Sequence, residues 1–171
     1  EILHGIDAHI LPATRTTPFE NVYDRGRRVQ FLHARAEPIT HRDVPAGWEQ
    51  AGIALLGPIA QEVDAALAAA FPGALVGAVL QGWMREWDSA GKVTNQPELL
   101  ERLALDGCQV VFLSEEDIAG SQTLLGWLQA QVPTVVLTAG RLGCTVFHGG
   151  QAHRVAPRPA QEVDPTGAGD V

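Results

Sequence analysis

Between residues 53 and 138, short and almost uninterrupted apolar runs alternate with segments of helical spacing. No other feature restricts the possible folds of this chain as much. Residues 53–56 (Ile-Ala-Leu-Leu) stop at Gly57-Pro58. Residues 59–71 then carry Ile59, Val63, Leu67 and Phe71 at helical intervals and end at Pro72-Gly73. Apolar runs follow at 74–80, 109–113 and 134–138, separated by predicted helices at 97–105, 115–119 and 122–131. Strands apolar at nearly every position are buried on both faces, and strand–helix alternation supplies the crossovers that a parallel sheet requires. The sequence therefore predicts an α/β fold, a layered α/β/α core around a mostly parallel sheet.

The two ends of the pattern differ from its middle. Residues 16–23 and 28–34 are β-rich runs joined through Asp24-Arg25-Gly26-Arg27, a β-hairpin that must pack on something else to be stable. After Gly143 come two short strands, 144–147 and 152–155, turning at Gly149-Gly150 and giving the sheet an antiparallel edge. At 171 residues the chain suits one main domain. Within it, residues 1–40 read as a β lid or edge segment and residues 41–171 as the α/β core.

A formal net charge of −8 argues against a nucleic-acid surface, because the one basic cluster, Arg25, Arg27 and Arg28, sits at the predicted hairpin tip. No segment is long and apolar enough to cross a membrane, and no basic region followed by an apolar run opens the chain. Cys108 and Cys144 are expected in strands as free, partly buried thiols in a reducing cytoplasm. The six histidines show no ligand spacing.

In open sheets of this kind ligands sit beyond the carboxyl ends of the strands, so the turns after those strands carry the functional reading. The strongest string is Asp164-Pro165-Thr166-Gly167-Ala168-Gly169-Asp170. Glycines on either side of an alanine let the backbone bend sharply and approach a ligand. At a helix start, the free amides of Gly167, Ala168 and Gly169 would form an anion-binding nest. Asp170 at its rim would stand beside a bound phosphoryl group, where a carboxylate has a use as acceptor of a hydroxyl proton. A plain Gly-rich turn with an acidic helix start accounts for the shorter Gly-x-Gly-Asp equally well.

The full string closely resembles the signature of the ribokinase-like (PfkB) carbohydrate kinases. The resemblance implies an ATP-dependent phosphotransferase acting on a hydroxyl of a sugar, polyol or related small molecule. It makes Gly167, Ala168 and Gly169 the anion hole and Asp170 the catalytic base. It also makes Asp164 and Thr166 candidates for a monovalent cation, with potassium as the candidate ion. In the same family order, Thr138-Ala139-Gly140-Arg141-Leu142-Gly143 supplies nucleotide contacts at Thr138, Gly140 and Gly143. A third match is degraded. Where the family carries Asn-x-x-Glu to place magnesium, this chain has Ser114-Glu115-Glu116-Asp117, with Ser114 for Asn, Asp117 for Glu and Glu116 able to compensate. The same four residues also read as a helix N-cap with acids in its first turn.

Two weaker strings complete the reading. Gln81 and Arg85 follow the strand ending at Leu80 and can meet substrate or phosphate, or serve in packing and a surface ion pair. Residues 17–23 resemble the lid strand of related sugar and inositol kinases, and the pair of strings points to the branch containing myo-inositol kinases. Some relatives form homodimers through that lid. The resemblance further implies a glycine-rich acceptor-binding segment ahead of Glu1 and a helix after Val171. On that basis activity is expected of a longer parent chain and not of this piece alone. A non-catalytic nucleotide-binding relative and a nucleoside kinase of the same fold remain as alternatives.

Overall fold

The computed structural model describes residues 5–24, 27–118 and 121–158. Its centre is a six-stranded sheet built from β3 (Ile53–Leu56), β4 (Leu75–Val79), β7 (Val110–Ser114), β8 (Thr134–Thr138), β9 (Cys144–His148) and β10 (Gln151–Val155). The strand order is β10-β9-β8-β7-β4-β3. Neighbours from β3 to β8 pair in parallel, and β9 and β10 run antiparallel. The expected mixed α/β architecture with a mostly parallel sheet is present.

Register decides which side chains share a face. Ala54 lies opposite Val76, Ala78 opposite Val111, and Val111 opposite Val135. These residues join one core with Leu67, Trp83, Leu100 and the α2 (Gln122–Gln131) residues Leu124, Leu125 and Leu128. Val111 and Val135 are fully buried, each worth about 2 kcal/mol of apolar transfer. The alternate positions at the β3 edge are open: Ile53 is 73% exposed, and Leu55 and Leu75 also stand out to solvent. Among the described residues the sheet is thus packed tightly on one face only.

Two hairpins lie outside this sheet. β1 (Phe19–Asp24) pairs antiparallel with β2 (Arg27–Leu32), as the sequence predicts. The second, β5 (Arg85–Trp87) with β6 (Val93–Asn95), follows the short helix α1 (Gln81–Met84) and turns at residues 88–91. It answers the packing need of the first: Phe31 bridges Lys92, and the Leu32 amide donates to the Gly91 carbonyl at 2.8 Å.

Three helical expectations shrink. Residues 59–71 yield only the 3-10 turn Ala65–Ala70. Ahead of it the amides of Ile59 and Ala60 donate to the Glu62 carboxylate, and Gln61 takes a left-handed φ of 59° while its amide bonds the Gly82 carbonyl. The local bonds to Glu62, the left-handed Gln61 and its bond to Gly82 keep this stretch out of a helical ladder, and the turn starts only where Asp64 caps Ala66 at 2.9 Å. Residues 97–105 become the 3-10 turn Pro97–Arg102, closed by Leu103 bonding back to Leu100. The segment after β7, residues 115–118, is a turn and not the expected helix. Cys108 is also placed differently from expectation: it lies buried in the turn before β7, where burial and then Asp106 push its thiol pKa up, while Cys144 opens β9. Both thiols are free. No helix among the described residues is long and apolar enough to cross a membrane.

Candidate functional site

The parallel strands β4, β7 and β8 deliver their carboxyl ends to one side of the molecule, at Gln81, Ser114 and Thr138. Ser114 and Thr138 are register partners, and the Glu115 amide donates to the Thr138 carbonyl at 2.9 Å, so the two turns are tied together. Around them lies a cavity of about 420 Å³ lined by Ser114, Glu116, Thr138, Gly140 and their neighbours. Four of the sequence candidates therefore meet in one place.

The glycines of this turn have different tasks. Gly140 has φ +52°, and a Cβ there would meet nothing, so its bare backbone faces open space. Gly143 has φ +89°, and a Cβ would lie 2.1 Å from the Val155 carbonyl oxygen. The close approach at Gly143 is thus to the chain's own β10 and not to the cavity. The Thr138 hydroxyl reaches back to the Leu113 carbonyl at 3.4 Å, a contact weak enough to be exchanged for a ligand.

Ser114 and Asp117 close a reciprocal pair: the Ser114 amide donates to Asp117 Oδ2 at 2.9 Å, and the Asp117 amide donates to Ser114 Oγ at 3.1 Å. This is the geometry of a capping box, here closing a tight turn at 115–118 that does not continue as a helix. The second carboxylate oxygen, Oδ1, accepts from Gln81 Nε2 at 3.2 Å. Asp117 is only 8% exposed, and both of its oxygens accept from the protein. Glu116 is exposed and lines the cavity. Magnesium binds through one or two carboxylates, waters and substrate phosphates. On that donor chemistry Glu116 fits the ion, and Asp117 fits a supporting role.

On the other side of Glu116 is a second cavity of about 330 Å³, lined by Arg28, Gln81, Arg85 and Lys92 together with Glu116 and Asp117. Its framework is α1. Gly82 allows the approach, since a Cβ there would lie 2.0 Å from the Pro58 carbonyl oxygen. Trp83 anchors the helix by donating from Nε1 to the Val63 carbonyl at 2.7 Å. Arg85 Nη2 donates to Gln81 Oε1 at 2.9 Å, Nη1 donates to the Ile59 carbonyl at 2.8 Å, and the guanidinium lies 5.0 Å from the centre of the Phe19 ring. Burial, then the charge of Arg28, lowers the Arg85 pKa. The strand-end position of Gln81 and Arg85 was visible in the sequence. Arg28 was read only as part of a basic hairpin tip and Lys92 carried no local motif; the pairing of the two hairpins brings both here.

The candidates Asp164, Thr166, Gly167, Ala168, Gly169 and Asp170 lie outside the described residues.

Comparison with known proteins gives a consistent picture. Residues 93–171 match the pfkB family carbohydrate kinase model. Inositol 3-kinase of Oryza sativa subsp. japonica is 58% identical over 36 residues, which is 21% of this chain and 9% of that protein. Among solved structures, a pyrophosphate-dependent kinase in the ribokinase family, complexed with a pyrophosphate analog and myo-inositol, superposes with a TM-score of 0.69. It is 21% identical, and the match covers 94% of this chain and 59% of that one. The structure describing conversion of a pyrophosphate-dependent myo-inositol-1 kinase into a myo-inositol-3 kinase gives a TM-score of 0.71 at 18% identity, covering 98% of this chain and 60% of that one. The chain thus spans about a tenth of the plant protein and about three fifths of these structures in the matched regions. The resemblance to ribokinase-like (PfkB) kinases is borne out, and the fold is theirs.

Proposed function

We propose that this chain carries the phosphate-handling part of a kinase that moves the γ-phosphate of ATP to a hydroxyl of a sugar or polyol. The observation that carries the reading is the convergence of Ser114, Glu116, Thr138 and Gly140 on one cavity at the strand ends. These residues come from the two turns that the family resemblance marks, and the Gly-Ala-Gly-Asp string follows within the stretch that matches the family model. The relatives' names favour myo-inositol or a similar polyol as acceptor, and two of them favour testing pyrophosphate beside ATP as donor.

In this reading Thr138 donates its hydroxyl to the nucleotide, and Gly140 leaves space against which the nucleotide lies. Gly143 fixes the turn that presents both. The amides of Gly167, Ala168 and Gly169 stabilise charge on the transferring group, and Asp170 accepts the proton of the attacking hydroxyl. Magnesium, when bound, neutralises charge on the donor phosphates. Glu116 is the carboxylate that would hold it or its waters, while Ser114 and Asp117 keep the turn in shape. Asp164 and Thr166 are the proposed contacts of a monovalent cation.

The test is Asp170→Asn in the full chain. Loss of a positioned base is expected to lower turnover by about 10³-fold while ATP binding stays within about twofold, because the amide is isosteric and removes only the proton acceptor. Turnover retained in the variant would contradict the assignment.

A further inference from the structure

A half-buried guanidinium normally has a carboxylate partner, because burying a charge without compensation is costly. Among the described residues no carboxylate oxygen lies within 4.0 Å of Arg85. The two acids whose fields reach it, Asp117 and Glu62, are committed elsewhere. Asp117 accepts from Ser114 and Gln81, and Glu62 accepts from the amides of Ile59 and Ala60. Gln81 stands between cation and acid as a spacer, receiving from Arg85 and donating to Asp117. Arg28 adds a second positive charge close enough to act on Arg85, and Lys92 a third on the same cavity wall. With two carbonyl oxygens and the Phe19 ring fixing the guanidinium, its other N–H groups remain for a ligand. Three cations thus share a cavity wall with one unengaged acid, Glu116, and a pre-oriented guanidinium in that excess of positive charge is arranged to receive an anion.

We propose that Arg85, with Arg28 and Lys92, forms a phosphate-binding site beneath the β1–β2 hairpin, on the opposite side of Glu116 from the Thr138–Gly140 cavity. It deepens the kinase reading and rests on it for the identity of the phosphate. That phosphate is either the terminal group of the donor or a group already carried by the acceptor. Both are tetrahedral oxyanions that an arginine fork grips through paired N–H groups.

The experiment is calorimetric titration of the full chain with pyrophosphate, ATP, a myo-inositol monophosphate and unphosphorylated myo-inositol, each at low and high salt. Arg85→Gln is expected to weaken binding of the phosphate ligand by about tenfold, as expected for loss of a hydrogen bond between charged groups. Arg28→Gln and Lys92→Gln, both at exposed positions that leave the core untouched, are each expected to weaken it by about threefold and to flatten its salt dependence. If the loss falls on pyrophosphate and ATP, the site holds the donor's terminal phosphate. If it falls on the inositol phosphate alone, the site holds a phosphorylated acceptor. Unchanged binding of every phosphate ligand in all three variants overturns the proposal. Phosphotransfer that persists undiminished in those variants overturns it too and leaves the kinase reading standing. Arg85-dependent phosphate binding with no phosphotransfer to any acceptor does the reverse.

Discussion

The two cavities flanking Glu116 are made from different materials. The one at Thr138 and Gly140 is lined by two strand-end turns, a hydroxyl and a glycine facing open space. The one at Arg85 adds to the turn after β7 the long side chains of three distant segments: β2, the α1–β5 junction and the β5–β6 turn. Bare main chain gives a site shape and donors that do not move. Charged side chains give attraction, and they need a scaffold that stops them from pairing with the nearest acid. Here that scaffold is the set of hydrogen bonds that occupies Asp117 and Glu62. The difference teaches that a strongly acidic chain can still present a local positive site, because what matters is which acids are already engaged.

The comparison can be broken from either side. The largest effect is expected at Gly82, where Ala would drive a methyl into the Pro58 carbonyl and shift α1. Gly82→Ala should cost about 2–3 kcal/mol in stability, read by chemical denaturation. It should also abolish the Arg85-dependent phosphate binding while sparing the β7 and β8 turns. Equal loss at both cavities would show that they are not separate structures. A smaller effect is expected at the ridge between them. Glu116→Gln removes the free carboxylate without changing its size, so the magnesium concentration needed for half-maximal rate should rise about tenfold with fold stability unaltered. An unchanged magnesium requirement would move the ion to other residues.

The sequence made the first cavity legible and hid much of the second. Apolar strands bounded by Gly and Pro were readable because burial on a parallel sheet demands them, and the strand at 134–138 appears where expected. The helix at 122–131 was readable for the same reason: Leu124, Leu125 and Leu128 pack on the sheet, and Ser121 caps the Leu124 amide at 3.3 Å. The spacing at 59–71 misled because apolar periodicity reports which side chains are buried and not where the amides find partners. Glu62 claimed two of those amides locally, and the distant carbonyls of Ile39 and Gly82 claimed those of Asp64 and Gln61. At 114–117 the expected capping pair is present without its helix, and it engages Asp117 while Glu116 stays exposed. Arg28 read as a hairpin-tip charge and Lys92 escaped notice, because it takes the Phe31–Lys92 bridge and the Leu32–Gly91 bond between hairpins to bring the two together.

The account depends on phosphate moving across the strand-end ridge to a hydroxyl. That is read most directly by ³¹P NMR of the full chain with magnesium, with ATP or pyrophosphate as donor and a panel of polyols, sugars and nucleosides as acceptors. The account predicts a new phosphate monoester resonance with a polyol or sugar, myo-inositol first among them. A monoester formed only on nucleosides, or donor hydrolysis to orthophosphate with no acceptor labelled, would contradict it.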